Sequence, residues 1–154
     1  MRRTMTVLGA LVALALSAAP VAAVTTAEAT IYVHSAFEDG GGTFTAESDL
    51  LCASGTTTDS TLIAGNGRAI TFHNLKTFVC DDGTGTFTLR LEAQVKPCSS
   101  TTFGVWSVAG GTGDYEGLRG TGSVVGTYFP NDACDAEGID DLLTGVVRLP
   151  WIHR

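Results

Sequence analysis

Four groups of residues in this 154-residue chain have side chains that could do chemistry. Asp132, Asp135, Glu137, Asp140 and Asp141 place five carboxylates within ten residues, and oxygen-rich clusters of this kind can hold Ca²⁺. Their spacing does not follow an EF-hand loop, although Gly138 supplies a turn, so a solvated acidic loop is the simpler reading. Gly111-Thr112-Gly113 has the composition of a phosphate cradle, but such a cradle needs a helix N-terminus after it. Gly120-Thr121-Gly122 and a strand-like run follow instead, which argues against nucleotide binding. Cys52, Cys80, Cys98 and Cys134 lack the close pairs of a zinc site. The histidines His34, His73 and His153 are scattered, and His73 alternates with Thr71 on the polar face of a strand. There is no Gly-x-Ser-x-Gly elbow, and oxidised cysteines leave no Cys–His nucleophile. The sequence therefore identifies no catalytic residue, and neither a metal nor a cofactor is expected. Two carboxylates facing each other across a barrel are the one arrangement that spacing does not address.

The elements that must position any site begin after a secretory signal. Arg2-Arg3 precede an apolar run from Val7 to Ala19, then Pro20 and Val21-Ala22-Ala23. That core is too short for a transmembrane span. Cleavage is expected after Ala23, with a second site after Ala29. Thr4-Met5-Thr6 is a weak match to a twin-arginine signal. The expectation is a secreted protein, with residues 24–154 forming a single domain. Loss of Arg2 and Arg3 leaves seven basic residues against sixteen acidic ones, a formal charge of −9. That sign disfavours nucleic acid and anionic membranes as partners. An even number of cysteines in an exported chain reads as two disulfides. Three pairings are open. Cys52–Cys80 with Cys98–Cys134 is favoured because sequential pairing joins neighbouring hairpin strands without crossing.

The exported part reads as strands and turns throughout. In residues 85–96, Phe87, Leu89, Leu91, Ala93 and Val95 alternate with polar residues, the period of a half-buried strand. Its length, roughly 40 Å, suits a barrel better than a sandwich. Further strands are expected at 30–37, with Ile31, Val33 and Phe37 on one face, and at 43–49, 61–64, 68–73, 77–80, 102–109, 121–129 and 142–149. Asn66-Gly67 and Asp81-Asp82-Gly83 read as hairpin turns. Residues 53–60, rich in Ser, Thr and Gly, and the acidic 131–141 read as loops. Gly-Thr-Phe-Thr occurs twice, at 42–45 and 85–88, as shared turn chemistry rather than a repeat. Eight to ten short strands without a helical period indicate an all-β barrel, with a β-sandwich as the alternative.

Residues 110–122 hold six glycines in thirteen positions. They read as a shaped turn leading into a strand, because glycine is retained where φ is positive or backbones approach closely. Gly110, Gly111, Thr112, Gly113, Tyr115, Arg119 and Gly120 resemble the signature of the allene oxide cyclase and dirigent barrel superfamily, including small exported bacterial proteins of that type without an assigned activity. The resemblance implies an eight-stranded antiparallel barrel with an apolar interior and is compatible with a homo-oligomer. Its branches include a cofactor-free cyclase acting on a fatty-acid epoxide and proteins that steer phenoxy-radical coupling. Their catalytic residues lie outside the motif, so no active site transfers. The cysteines also depart from the plant pattern.

Phe87, Leu89, Leu91, Trp106, Val124 and Tyr128 are the expected inward set, either a packed core or the wall of a ligand cavity. Trp106 and Tyr128 carry polar groups that could orient a ligand. Arg119 reads as an outward residue pairing with Glu116, or as a ligand contact. The leading expectation is a non-catalytic exported module that binds a small apolar molecule or serves an interaction role. The rival is a cofactor-free cyclase or isomerase, which requires an open pocket with a buried ionisable residue of perturbed pKa. A third is a cell-surface β-sandwich with two open sheets and an exposed patch.

Overall fold

The computed structural model describes residues 24–65 and 69–150; the expected signal segment, the expected turn at Asn66-Gly67, Arg68 and His153 lie outside them. Eight strands follow one another: β1 (Val24–Ala36), β2 (Gly41–Glu47), β3 (Ser54–Gly65), β4 (Ile70–Cys80), β5 (Gly85–Val95), β6 (Thr101–Gly113), β7 (Arg119–Phe129) and β8 (Gly138–Pro150). Each pairs antiparallel with the next, and β8 closes on β1 through a register running from Val24↔Pro150 to Ala36↔Gly138. The result is a closed up-and-down barrel, not a sandwich. Closure pairs every strand on both sides and removes the open edges a sandwich would keep.

The period-two alternation of β5 is realised in full. Phe87, Leu89, Leu91, Ala93 and Val95 are all buried. Ala29, Ile31 and Val33 do the same for β1, but Phe37 lies beyond the strand end in the turn to β2 and is half exposed. Three segments differ from the sequence reading. Residues 54–60 are strand, not loop, because threonine is a good strand former: Thr57 points inward while Thr56 and Thr58 point out. Residues 68–73 and 77–80 are not two strands. Residues 70–73 and 77–80 belong to one, β4, which runs unbroken through Asn74-Leu75-Lys76. The acidic stretch is a loop only up to Glu137, since β8 begins at Gly138 and takes in Asp140 and Asp141.

The glycine-rich motif also resolves differently. Gly110–Gly113 is the end of β6, and the turn proper is 114–117. A register shift between Thr88 and Leu89 marks a bulge in β6 near Ala109, which bends that strand over the barrel end. Gly113 and Gly117 take φ of 63° and 81°, the left-handed region that side chains disfavour. The turn folds Tyr115 and Leu118 into the barrel, 4% and 0% exposed.

Tyr115 and Leu118 help to seal one end. Phe44, Phe78 and Phe87 cluster there, with Phe78 and Phe87 stacked at 4.6 Å and Phe44 edge-on to both. The two Gly-Thr-Phe-Thr copies therefore contribute the same thing, an inward phenylalanine. Tyr115 meets Phe87 edge-on, and its hydroxyl lies 3.0 Å from Thr84 Oγ1 and 3.4 Å from Cys80 Sγ. Cys52–Cys80 pins the β2–β3 loop to β4 at this end. Cys98–Cys134 ties the β5–β6 loop to the β7–β8 loop at the other. The pairing is the sequential one. On the outside, Phe103, Val125, Leu142 and Tyr32 lie in register across β6, β7, β8 and β1 as an exposed apolar row.

Candidate functional site

The end that carries Cys98–Cys134 is open. A cavity of about 600 Å³ runs down from it, lined by residues of all eight strands, within the size range of small-molecule sites. Its walls are mainly apolar: Ile63, Ile70, Phe72, Leu91, Ala93, Val95 and Val124. Its floor is polar. Lys76, Asp59, Asp141, Asn74, Ser35 and Tyr128 converge there from five strands.

Lys76 is the centre of that floor. It occupies an inward position of β4, and its side chain is 2% exposed. Nζ donates to Asp59 Oδ2 at 2.8 Å and to Ser35 Oγ at 3.2 Å. Asp141 Oδ2 stands 3.8 Å away, an ion-pair distance but beyond hydrogen-bonding reach. Asn74 Nδ2 donates to Asp59 Oδ1 at 2.7 Å, so both oxygens of Asp59 are engaged. Asn74 Oδ1 is fully buried with no partner. Gly126, inward on β7, lets the cluster pack, since a Cβ there would sit 2.7 Å from Asp141 Oδ1.

Burial pushes the Asp141 carboxyl up from 3.8 to about 6. The Lys76 ammonium opposes the rise, while Asp59 and Asp140 add to it. Burial also raises Tyr128, and the nearby Asp141 charge adds to the effect; its hydroxyl is paired with Thr102. Thr102 Oγ1 in turn donates to the Gln94 carbonyl at 2.8 Å. The floor can thus exchange a proton near neutral pH at Asp141 and can order a polar group of a ligand.

All six residues expected to face inward are buried. Leu91, Val124 and Tyr128 line the cavity, whereas Phe87, Leu89 and Trp106 do not. Phe87 and Leu89 belong to the packed core. Trp106 is held in a slot made by two glycines, because a Cβ on Gly122 or Gly145 would come within 2.6 Å of its ring. Its Nε1 is buried without a hydrogen-bond partner in the protein, the backbone included. The motif residues Gly110, Gly111, Thr112, Gly113, Tyr115, Arg119 and Gly120 sit at the sealed end, away from the cavity. Arg119 donates to the Leu118 carbonyl at 3.0 Å. It contacts neither Glu116 as an ion pair nor the cavity.

The expected acidic cluster is dispersed. Asp140 turns outward to His34 Nδ1 at 2.7 Å, Asp141 turns inward, and Asp132 accepts the Cys134 backbone N–H at 2.8 Å. Cys98 and Cys134 lie close to Asp132, but the disulfide removes the thiolates a metal would need. His73 is on the outer face, paired with Glu92. Sequence reading did not single out Lys76, Asp59 or Asn74. The available signal was the alternation Ile70, Phe72, Asn74, Lys76, Phe78, Cys80 running unbroken past the polar pair. In comparisons with protein-family models, curated proteins and solved structures, nothing matches this chain.

Proposed function

We propose that this is an exported, disulfide-linked barrel that binds a small, largely apolar molecule in the open end, with the polar part of that molecule on the Lys76–Asp59–Asp141 floor. The observation that carries the reading is the asymmetry of the interior. One end is filled with aromatic side chains, while the other holds about 600 Å³ of apolar-walled space over a single polar cluster. A barrel that needed only stability would be filled along its whole length. The superfamily resemblance of the glycine motif supports the same reading through the barrel it implies.

The test is native mass spectrometry of the protein purified from culture medium, followed by titration with an environment-sensitive apolar dye. A co-purified small molecule, or dye binding abolished by Ala93→Trp in a folded protein, supports the reading. Ala93 lines the cavity and is nearly buried, so an indole there fills the space. Dye binding indifferent to Ala93→Trp, with no bound molecule and no lipid or terpenoid ligand, would overturn it.

A second reading, a cofactor-free cyclase or isomerase, is favoured by one specific observation. Asp141 is a buried carboxyl on the cavity that is half ionised near pH 6, where a group can both take and return a proton. The two readings separate on whether a cavity compound is recovered unchanged.

A further inference from the structure

The chemistry of the floor selects the polar group of the ligand. We infer that the cavity takes an apolar amine, with its ammonium on Asp141 and Asn74, rather than a carboxylic acid. The inference rests on the binding reading above and narrows it.

Three observations carry it. First, the floor holds one cation and two carboxylates, so with Asp141 ionised it has an excess negative charge in a poorly hydrated place. Second, Lys76 is poorly placed to receive an incoming anion, since its side chain is 2% exposed. It is buried beneath Asp59, Ser35 and Asp141 and already donates to two of them. A carboxylate head would meet a buried lysine already paired with a carboxylate, and the repulsion of Asp141. Third, the unmet capacity is for donors. Asp141 is 8% exposed with its nearest cation at 3.8 Å, and Asn74 Oδ1 is buried without a partner. An ammonium carries donors only and neutralises the excess charge. The apolar walls then cover the rest of the ligand.

The charged and titratable groups around Asp141 are Lys76 on β4, Asp59 on β3 and Tyr128 on β7. Asp140 lies on its own strand, with His34 on β1 beyond it on the outer face. Inside the barrel, Asp141 changes charge between about pH 5 and pH 8. An alkylamine stays charged over that range. Its affinity should therefore rise about tenfold from pH 5 to pH 8, as the carboxylate fraction rises from about one tenth to nearly all.

The experiment is competition by dodecylamine, dodecanol and dodecanoic acid against the apolar dye at both pH values, below their micelle concentrations. The expected result is that the amine binds tightest at pH 8 and weakens about tenfold at pH 5. Asp141→Asn should remove that pH dependence of the amine. Asn74→Leu, the second variant, should weaken the amine selectively; circular dichroism checks that both fold. Loss of the pH dependence in Asp141→Asn also separates Asp141 from His34. If the acid binds as tightly as the amine at pH 8, or the amine shows no pH dependence, the head-group inference is overturned while the binding reading stands. If none of the three displaces the dye and the dye ignores Ala93→Trp, the binding reading itself has failed.

Discussion

Asp141→Asn measures what the floor of the cavity costs the fold. In an unfolded chain this carboxyl releases its proton near 3.8; in the barrel it does so near 6, chiefly because it is buried. Between those values the folded state holds the proton more tightly than the unfolded state. Its stability contribution is therefore complete below about pH 4 and is lost as pH rises through 6. The gap of about two pH units corresponds to about 3 kcal/mol once both states are ionised. Asparagine keeps the shape of the neutral acid at every pH. The variant should match wild type near pH 4 and exceed it by about 3 kcal/mol near pH 8. Urea unfolding followed by tryptophan fluorescence, with the disulfides intact, reads this as a midpoint shift of about 1 to 3 M at unchanged slope. A gain of equal size at both pH values would refute the reasoning. So would a loss near pH 8, which would mean that Lys76 needs the Asp141 charge more than burial penalises it.

The remaining predictions concern the lysine, the tryptophan slot and the two disulfides. Lys76→Met leaves Asp59 and Asp141 facing each other without their cation. It should cost about 3–5 kcal/mol near pH 8 and less near pH 4, by the same unfolding assay. Gly122→Ala sets a methyl 2.5 Å from Trp106 Cε2 and against the Thr144 carbonyl. A destabilisation of about 1–3 kcal/mol with altered tryptophan emission is expected. Limited dithiothreitol followed by differential alkylation and peptide mapping should label Cys98 and Cys134 first. Both are exposed at the rim, whereas Cys52 and Cys80 are each 6% exposed; earlier labelling of Cys52 and Cys80 would contradict the burial of the sealed end.

The barrel was readable because its strands are half-buried and announce themselves by alternation, as β5 does with Phe87 through Val95. The site was not, because it breaks the rule that made the fold readable. On β4 the inward residues Asn74 and Lys76 are polar, and the outward Leu75 and Val79 are apolar and exposed. The pattern inverts where the cavity begins, and an inverted segment reads as an interruption. Asp59 was concealed in the same way by a Ser/Thr-rich run that resembles a loop, and Asp141 by acidic neighbours that face solvent. The glycine motif was conspicuous for a different reason: it builds the sealed end, where tight backbone geometry leaves a composition signal. Cavity-lining residues leave none, because cross-barrel neighbours such as Lys76 and Asp141 are far apart in sequence.

The charged floor is hard to account for as a stabilising device. Buried ion pairs are often no better than apolar residues of similar volume, and breaking one exposes the full cost of the remaining charge. Here the arrangement is worse than a simple pair. Lys76 and Asp59 would satisfy each other, yet a second carboxylate is added at 3.8 Å and is held partly protonated by its surroundings. Gly126 gives up its side chain to make room for that carboxylate. An apolar side chain at 141 would carry no such charge. At the sealed end of the same barrel the interior is filled in that way, with Phe44, Phe78 and Phe87 packed ring against ring. One chain therefore contains both solutions, and the costly one appears only where the barrel is open to solvent. That placement points to selection for something entering the cavity, and the excess carboxylate points to its charge.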